Sequence, residues 1–365
     1  MRLGLAYFLR TRDIDAFRRH AGEMVENGAN YVVLVATDFD QLFFPATVAG
    51  MVEAAHRAGL EVYLDPWGLG GIFCTPYSVF PIHHPEACQV LSDGLALARA
   101  CPSSDEWRAH LAGWVQFAAR TGADGVFWDE PQFFHEADPK TGAVRWGCRC
   151  ARCQARYRAE VGHPMPVELT EPVVAFRRRQ ALDVLREACD AAHATGLRNM
   201  VCLLPFDDSL TAGRSSPADL MRAARAFADW DEVASIKSLD SLGTDPYPGL
   251  MAAAMDKGAG PTAPDAAWRA EPASYMRRPV EHLLEVCRRH GRQPHVWVQA
   301  FDVPAGVEPM IVEAARWLRA TGLSDIAFWA DRWGTGDNRL SQRPAEVWQA
   351  VVDALGLLGA GSGGD

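Results

Sequence analysis

One unit recurs eight times along the sequence: a short apolar run, a polar loop, and then an amphipathic stretch. The apolar runs are interpreted as the strands Leu3–Phe8, Tyr31–Ala36, Glu61–Asp65, Gly125–Trp128, Asn199–Leu204, Ser241–Thr244, His295–Ala300 and Asp325–Trp329. Helices are predicted to begin near Ile14, Pro45, Asp105, Thr170, Pro217, Pro279, Gly306 and Arg343. Strands that alternate with helices build a parallel sheet with crossover helices. Eight units favour an α/β fold closed into a (β/α)8 TIM barrel.

The charge of the chain argues against nucleic-acid and membrane partners. The 36 Lys and Arg residues are outnumbered by 46 Asp and Glu residues, which gives a net charge of −10. Nucleic-acid binding needs clustered positive charge to contact phosphates. No apolar run approaches the length that a bilayer requires. We therefore predict neither a nucleic-acid partner nor a membrane, and leave a homo-oligomer open.

The chain is predicted to be a single cytoplasmic domain. Residues 1–358 form the barrel in this interpretation, and the glycine-rich stretch 359–365 is predicted to be a disordered tail because it cannot build a core. The first apolar run lacks a following small-residue cleavage site. Nine cysteines without a secretion signal indicate reduced thiols or metal ligands rather than disulfides.

Carboxylates and large aromatic residues are concentrated where the predicted strands end. In a barrel of this type the active site lies at the carboxyl ends of the strands, on the loops that lead into the helices. The candidate substrate-binding residues at this rim are Asp65, Trp67, Trp128, Tyr247, Gln299, Trp329 and Asp331. Aromatic side chains there would stack on pyranose faces, whereas core packing is the plainer explanation for any single tryptophan.

Three cysteines stand within six residues in the long loop after the fourth strand. Cys148, Cys150 and Cys153 form a C-x-C-x-x-C pattern, which can wrap around one tetrahedral ion. A fourth ligand is needed, and Cys101 is preferred because a rigid Cys-Pro-Ser-Ser turn places it at the same rim. Cys74 and Cys88 are left open as alternatives. Four thiolates leave no free coordination position, so the predicted zinc is structural and staples this loop.

The segment from Cys101 to Tyr157 resembles the zinc-containing β-galactosidases of glycoside hydrolase family 42. The resemblance rests on the order of Cys101, Trp107-Arg108, a strand that ends at Glu130, and the triple-cysteine pattern. Outside this segment only the barrel architecture is shared. The resemblance implies a carbohydrate substrate and a structural zinc beside the active site. Its ligands would be Cys101, Cys148, Cys150 and Cys153.

Hydrolysis of a glycosidic bond needs a carboxylic acid for the leaving oxygen and, in most families, a second carboxylate. Glu130 occupies the place of the family's acid/base residue and is the first choice for the general acid. At the end of the seventh strand, where the family carries a nucleophilic glutamate, this chain has Gln299. A neutral amide cannot attack an anomeric carbon. The retaining mechanism of the family therefore does not transfer whole.

Three replacements for the missing carboxylate are considered. Asp245, at the end of the sixth strand, is preferred as the second catalytic group. Asp129 could instead orient an N-acetyl group of the substrate that acts as the nucleophile, as adjacent Asp-Glu pairs do in substrate-assisted hexosaminidases. Asp65 or Asp331 could serve as the base in an inverting scheme.

The sequence thus predicts a glycosidase that cleaves a small glycoside or an oligosaccharide. One alternative is a metal-dependent sugar isomerase or lyase that uses His83 and His84 with the rim carboxylates. Another is a non-catalytic carbohydrate-binding barrel, which Gln299 makes plausible. Metal content separates the alternatives, because a second labile metal would fit only the isomerase or lyase.

Overall fold

A computed structural model describes residues 1–8, 12–75, 77–137, 144–205, 229–248, 251, 268–330 and 340–360. Eight parallel strands close into one barrel, in which each strand pairs with the next and the last pairs with the first. We label them β1 (Arg2–Tyr7), β2 (Tyr31–Val35), β3 (Glu61–Asp65), β4 (Gly125–Asp129), β5 (Arg198–Leu203), β6 (Ser241–Thr244), β7 (Gln293–Ala300) and β8 (Asp325–Ala330). The predicted TIM barrel is confirmed.

Helices surround the barrel. In the described residues they span Ile14–Glu26, Asp38–Phe43, Pro45–Ala58, Phe80–His83, Asp105–Arg120, Ala151–Val161, Glu171–Ala194, Trp230–Ala234, Pro272–His290, Pro309–Ala320 and Pro344–Gly359. None of them is long and apolar enough to cross a membrane. The last helix reaches Gly359, the first residue of the predicted tail, and residues 361–365 lie outside the described residues.

The predicted helix start at Pro279 is wrong. That helix begins at Pro272, at a position where the missing proline N–H has no intrahelical partner to lose. Pro279 lies inside the helix, buried with Met276 and Val280 on the face that packs into the core. Apolar packing of this face overrides the local signal of an interior proline. The start predicted near Pro217 lies outside the described residues.

Side chains of each strand alternate between the barrel interior and the layer beneath the helices. In β4, Phe127 packs inside the barrel with residues such as Tyr63 and Trp297. Val126 and Trp128 face the other way, into the core between the barrel and the helices. The same alternation turns Asp129, the last residue of β4, back toward the interior.

The amino-terminal end of the barrel is closed by pairing bulky side chains with glycines. A Cβ atom on Gly4 would lie 2.1 Å from the Tyr31 ring, and one on Gly243 would lie 2.1 Å from the His295 ring. His295 is fully buried and its Nδ1 lies 3.0 Å from the Ser241 hydroxyl. Burial lowers the pKa of His295 to about 3, so the ring is neutral near pH 7. This floor leaves the carboxyl end of the barrel as the open end.

Replacing Gly243 with alanine should destabilise the barrel. The added methyl would overlap the His295 ring, which is locked in a packed layer, and overpacking of this kind costs about 1–3 kcal/mol. The free energy of unfolding from a urea titration measures the loss. Gly22→Ala is the control, because a Cβ there meets nothing within 4 Å in the helix Ile14–Glu26. An unchanged stability for Gly243→Ala would contradict the packing of the floor.

Candidate active site and thiol cluster

A ring of polar side chains lies at the carboxyl ends of four strands. Asp65 ends β3, Asp129 ends β4, Asp245 follows β6, and Gln299 stands near the end of β7. Their exposed fractions are 0%, 6%, 2% and 8%, so all four are withdrawn from bulk water. Glu130, directly after Asp129, is only partly buried. The structure therefore gathers the carboxylates that the sequence analysis selects from separate strands.

Glu130 has an unusual backbone conformation. Its φ is +34°, in a region that residues other than glycine rarely adopt. The amide of Glu130 donates to the Cys202 carbonyl at 3.1 Å, and its own carbonyl accepts from the Cys74 amide at 3.3 Å. Neighbouring strands thus hold the residue in a conformation that costs energy. Such conformations persist where the surroundings fix them, and they are concentrated at functional sites.

The carboxyl groups of Asp245 and Glu130 form a coupled pair. The pKa of Asp245 is raised well above its usual value by burial first, then by the charge of Glu130 and a hydrogen bond between the two side chains. The charge of Asp129 raises this pKa further. Two neighbouring carboxyl groups cannot both ionise readily, so the pair retains a proton to higher pH than a free carboxylic acid does.

A second buried acid lies on the other side of Asp129. Burial raises the pKa of Asp65 well above its usual value, and the charges of Asp129 and Glu130 raise it too. A hydrogen bond from the backbone N–H of Trp67 lowers this pKa in part. Asp129 therefore neighbours both acids with raised pKa values. Three buried aspartates and Glu130 form one electrostatic group.

Buried hydrogen-bonding atoms without partners border this acidic group. Within the described residues, Oδ1 of Asp245, Oε1 of Gln299 and Nε1 of Trp297 have no hydrogen-bond partner. The amide nitrogen of Gln299 donates to the Phe301 carbonyl at 3.1 Å, which fixes the orientation of the side chain. Unpaired buried polar atoms are rare in proteins, and at a site they are typical of groups that hydrogen-bond a polar ligand or water.

Aromatic side chains also line the barrel mouth. Trp67 packs edge-on against Phe8, with ring centroids 4.6 Å apart, and stacks on Tyr77 at 5.7 Å with an interplanar angle of 17°. Tyr77 is 70% exposed. Trp329 lies edge-on to Trp297 at 5.3 Å, inside the barrel. The mouth therefore combines an acidic side with an aromatic side.

The hydroxyl group of Tyr247 interacts electrostatically with the buried acids. Burial raises its pKa well above the usual value, and the neighbouring charges of Asp245, Asp129 and Glu130 raise it further. Its ring packs edge-on against Phe301 at 5.5 Å. The neutral hydroxyl can thus serve as a hydrogen-bond donor beside the carboxyl groups.

One rim residue selected from the sequence is not in this group, and a second lies outside the described residues. Trp128 faces away from the barrel interior, is fully buried, and donates its indole N–H to the Asn199 side chain at 2.8 Å. The expectation that it stacks on substrate is wrong, because strand alternation turns it toward Trp114 and the helices. Asp331 lies outside the described residues.

The four selected cysteines come together in the structure. The sulphur of Cys101 lies 3.5 Å from those of Cys150 and Cys153, and all four ligand atoms, with Cys148, lie within 4.8 Å of one another. Four thiolates at about 2.3 Å from a tetrahedral zinc have similar separations. Cys150 is partly exposed and the other three are buried. The cluster can hold one metal ion.

Local structure explains how these thiols meet. Cys101 ends the two-stranded sheet of Cys88–Val90 and Ala96–Ala100, and Cys148 follows the sheet of His135–Ala137 and Val144–Trp146. Cys150 is the amino-terminal cap of the helix Ala151–Val161. Cys88 instead donates to the His84 carbonyl at 3.4 Å, and Cys74 lies at the barrel mouth. Cys101 is therefore the fourth member.

Sequence reasoning missed the polar residues around the thiols. Gln180 donates to the sulphur of Cys153 at 3.6 Å, and the guanidinium of Arg177 is fully buried nearby. Both lie on the helix Glu171–Ala194, where their spacing of three residues places them on one face. The sequence signal that could have found them is the presence of polar residues at positions of this helix where the helical pattern favours apolar ones. His83 is exposed, and within the described residues only the four cysteines form a metal-ligand group.

No protein-family model and no curated protein matches this sequence. A β-galactosidase from the psychrophilic Marinomonas ef1 is similar in structure, with a TM-score of 0.69 and 13% identity over 98% of this chain and 59% of that one. The catalytic domain of the β-amylase from Paenibacillus polymyxa has a TM-score of 0.64 and 11% identity over 96% and 98%.

The endo-β-1,4-mannanase from Thermotoga petrophila has a TM-score of 0.56 and 9% identity over 99% of this chain and 77% of that one. These neighbours are glycoside hydrolases built on TIM barrels. Identities this low establish the shared fold alone, because one barrel fold supports many chemistries. This chain spans only part of the β-galactosidase.

Proposed function

We propose that this protein is a glycoside hydrolase that acts on a small glycoside or an oligosaccharide. The coupled carboxyl groups of Glu130 and Asp245 at the carboxyl end of the barrel carry the proposal. Such a pair retains a proton to higher pH than a free carboxylic acid does, and the leaving oxygen of a glycoside requires a proton donor. The aromatic side formed by Trp67 and Trp329 offers the apolar surface that a pyranose ring binds.

Glu130 is the proton donor in this proposal, and Asp245 keeps the proton on the pair. Asp245 is 2% exposed, so its charged form is disfavoured and the pair retains one proton. Glu130 is partly exposed and can reach the glycosidic oxygen. When Glu130 gives the shared proton to the leaving oxygen, both carboxyl groups are left ionised, and the pair regains a proton from the water molecule that completes hydrolysis.

The coupling between Asp245 and Glu130 bears on the mechanism. An inverting pair of carboxyl groups stands about 6.5–9.5 Å apart, so that a water molecule fits between them. Mutual influence that raises the pKa of Asp245 well above its usual value is more typical of carboxyl groups at a shorter separation. Gln299 cannot act as the nucleophile. These observations favour a substrate that supplies its own nucleophile, a 2-acetamido group, with Asp129 on the inner face of β4 orienting it.

We further propose that Cys101, Cys148, Cys150 and Cys153 hold a structural zinc. Their sulphur spacing and the all-thiolate donor set fit a closed tetrahedral site. Buried Arg177, near Cys148 and Cys153, would offset the negative charge of a zinc tetrathiolate. The metal would stabilise the long loop after β4 and take no part in proton transfer.

A non-catalytic carbohydrate-binding barrel is the second candidate. Gln299 favours it, because this amide stands where family 42 enzymes carry a nucleophilic glutamate. Such a protein would bind sugars through the same mouth without turning them over. Measurable turnover of any glycoside by the purified protein removes this candidate.

Cys150→Ser should lower both the zinc content and the thermal unfolding midpoint. A closed thiolate site couples metal binding to folding, so losing one ligand weakens both. Metal analysis of protein purified without chelator should find about one zinc per chain. Cys189→Ala, a buried thiol outside the cluster, is the control and should keep its zinc. Wild-type protein that contains no zinc, together with an unchanged unfolding midpoint in Cys150→Ser, would contradict the zinc proposal.

Glu130→Gln should reduce turnover of unactivated glycosides by roughly 10²- to 10⁴-fold, the usual contribution of a general acid. Nitrophenyl glycosides with excellent leaving groups need little protonation and should lose less. The substrate set includes N-acetylated sugars, which the proposal favours. The control is Glu86→Gln, the same change at a side chain that is 63% exposed. Equal losses on both kinds of substrate would show that Glu130 is not the acid.

Asp245→Asn should shift the alkaline limb of the pH–activity profile to lower pH. Asp245 is the member of the pair whose pKa is raised, so a neutral amide in its place removes the group that retains the proton to higher pH. Asp325→Asn, a buried aspartate at the closed end that pairs with Arg2, is the control and should leave the limb in place. An unmoved limb in Asp245→Asn would contradict the coupled pair.

A further inference from the structure

The segment 131–134, which directly follows Glu130, is anchored on one side to the loop after β3. Pro131 pairs with Phe73 in an isolated antiparallel bridge. The backbone N–H of Gln132 donates to the Ile72 carbonyl at 2.8 Å, and its side-chain amide donates to the Cys74 carbonyl at 2.7 Å. These bonds hold the inner edge of the segment against the barrel mouth.

Two arginines hold the other side of the segment, at Phe134. The guanidinium of Arg99 lies over the Phe134 ring, 5.7 Å from its centroid, and donates to the Gly71 carbonyl at 2.9 Å. Arg177 donates from Nη2 to the Phe134 carbonyl at 3.1 Å and from Nε to the Gly147 carbonyl at 2.7 Å. Phe134 is therefore fixed by its ring and by its backbone.

Both arginines also belong to the surroundings of the thiol cluster. Arg99 lies two residues before Cys101, on the strand Ala96–Ala100 that carries this ligand. Arg177 lies over the Trp146 ring at 5.7 Å, and the Gly147 carbonyl that it binds immediately precedes Cys148. Burial lowers the pKa of Arg177 to about 9, and the charges of Cys148 and Cys153 offset part of this effect. A continuous set of contacts thus joins the thiols to the segment after Glu130.

We propose that Arg99 and Arg177 are positioning residues that transmit the geometry of the thiol cluster to Glu130. The proposal rests on the role of Glu130 as the acid. The φ of +34° at Glu130 is strained, so it persists only while bonds on both sides of the residue over-determine it. The β3 loop and β5 supply one side, and the two arginines supply the other. A metal in the cluster would then act on catalysis through these side chains.

Arg177→Lys tests the connection because it keeps the positive charge and loses the planar fork that binds two carbonyls. We expect turnover of unactivated glycosides to fall roughly 10- to 100-fold, as misplaced catalytic groups do. Substrates with excellent leaving groups should lose clearly less, as in Glu130→Gln. The zinc content should remain that of the wild type.

The matched control is Arg149→Lys. Arg149 lies between two cluster cysteines and also donates to two carbonyls, those of Pro166 at 3.2 Å and Met165 at 3.0 Å. Its hydrogen bonds therefore resemble those of Arg177 but lead away from Phe134. A change in turnover that is equal for Arg149→Lys and Arg177→Lys would overturn the proposal, because it would reflect general loosening around the thiols.

Hydrogen exchange gives a readout that does not depend on activity. The amides of Gln132 and Gly147 are hydrogen-bonded in the wild type and should exchange faster in Arg177→Lys and in chelator-treated protein. Their exchange rates should be unchanged in Arg149→Lys. If Arg177→Lys does not fold, Arg99→Lys replaces it, since this change removes the planar contact with Phe134. Unchanged exchange in the folded variant would overturn the proposal. If Glu130→Gln shows no leaving-group dependence while exchange still responds, only the proposed function fails.

Discussion

The closure of the barrel is the constraint on which the rest of this structure depends. The pairing of β8 with β1, with Arg2 opposite Asp325 in register, leaves no free sheet edge and directs all eight carboxyl ends to one rim. Arg2 also bonds the Asp325 carboxylate at 2.9 Å, and Tyr31 donates to the same group at 2.8 Å. With the floor sealed in this way, the carboxylates that end or follow strands far apart in sequence meet at the open end.

Burying several acids at that end is unfavourable unless protons are retained. Asp65, Asp129 and Asp245 are almost completely buried, and the groups that raise the pKa values of Asp65 and Asp245 are other carboxylates. Desolvation and mutual repulsion both favour the neutral form. The raised pKa values stabilise the fold at low pH, and this contribution is lost as the pH rises through them. They also keep an acid protonated to higher pH than a free carboxyl group. The same physics that opposes folding here thus supports the proposed chemistry.

The thiol cluster solves a different problem, which is the length of the loop after β4. A loop of this length has only a small apolar core of its own. A metal site or a buried, hydrogen-bonded guanidinium can add to its stability. In this protein the buried guanidinium of Arg177 lies over Trp146, which shares a small apolar cluster with the four cysteines and Tyr157. The stabilised loop begins at the residue proposed to carry out proton transfer. The stability of the loop and the placement of Glu130 therefore depend on the same contacts.

The barrel, the rim that bears the acids, and the triple-cysteine pattern could be predicted from the sequence alone. Strand alternation with helices is a local periodic signal, and a C-x-C-x-x-C pattern is a local spacing, so both are visible without contacts. Only the tertiary structure decided that Trp128 faces the helices, that Asp245 contacts Glu130, and that Arg177 is buried beside the thiols. Which face a strand residue occupies depends on register, and pKa values depend on neighbours from other strands. Those quantities arise only when distant segments are brought together, which no local pattern records.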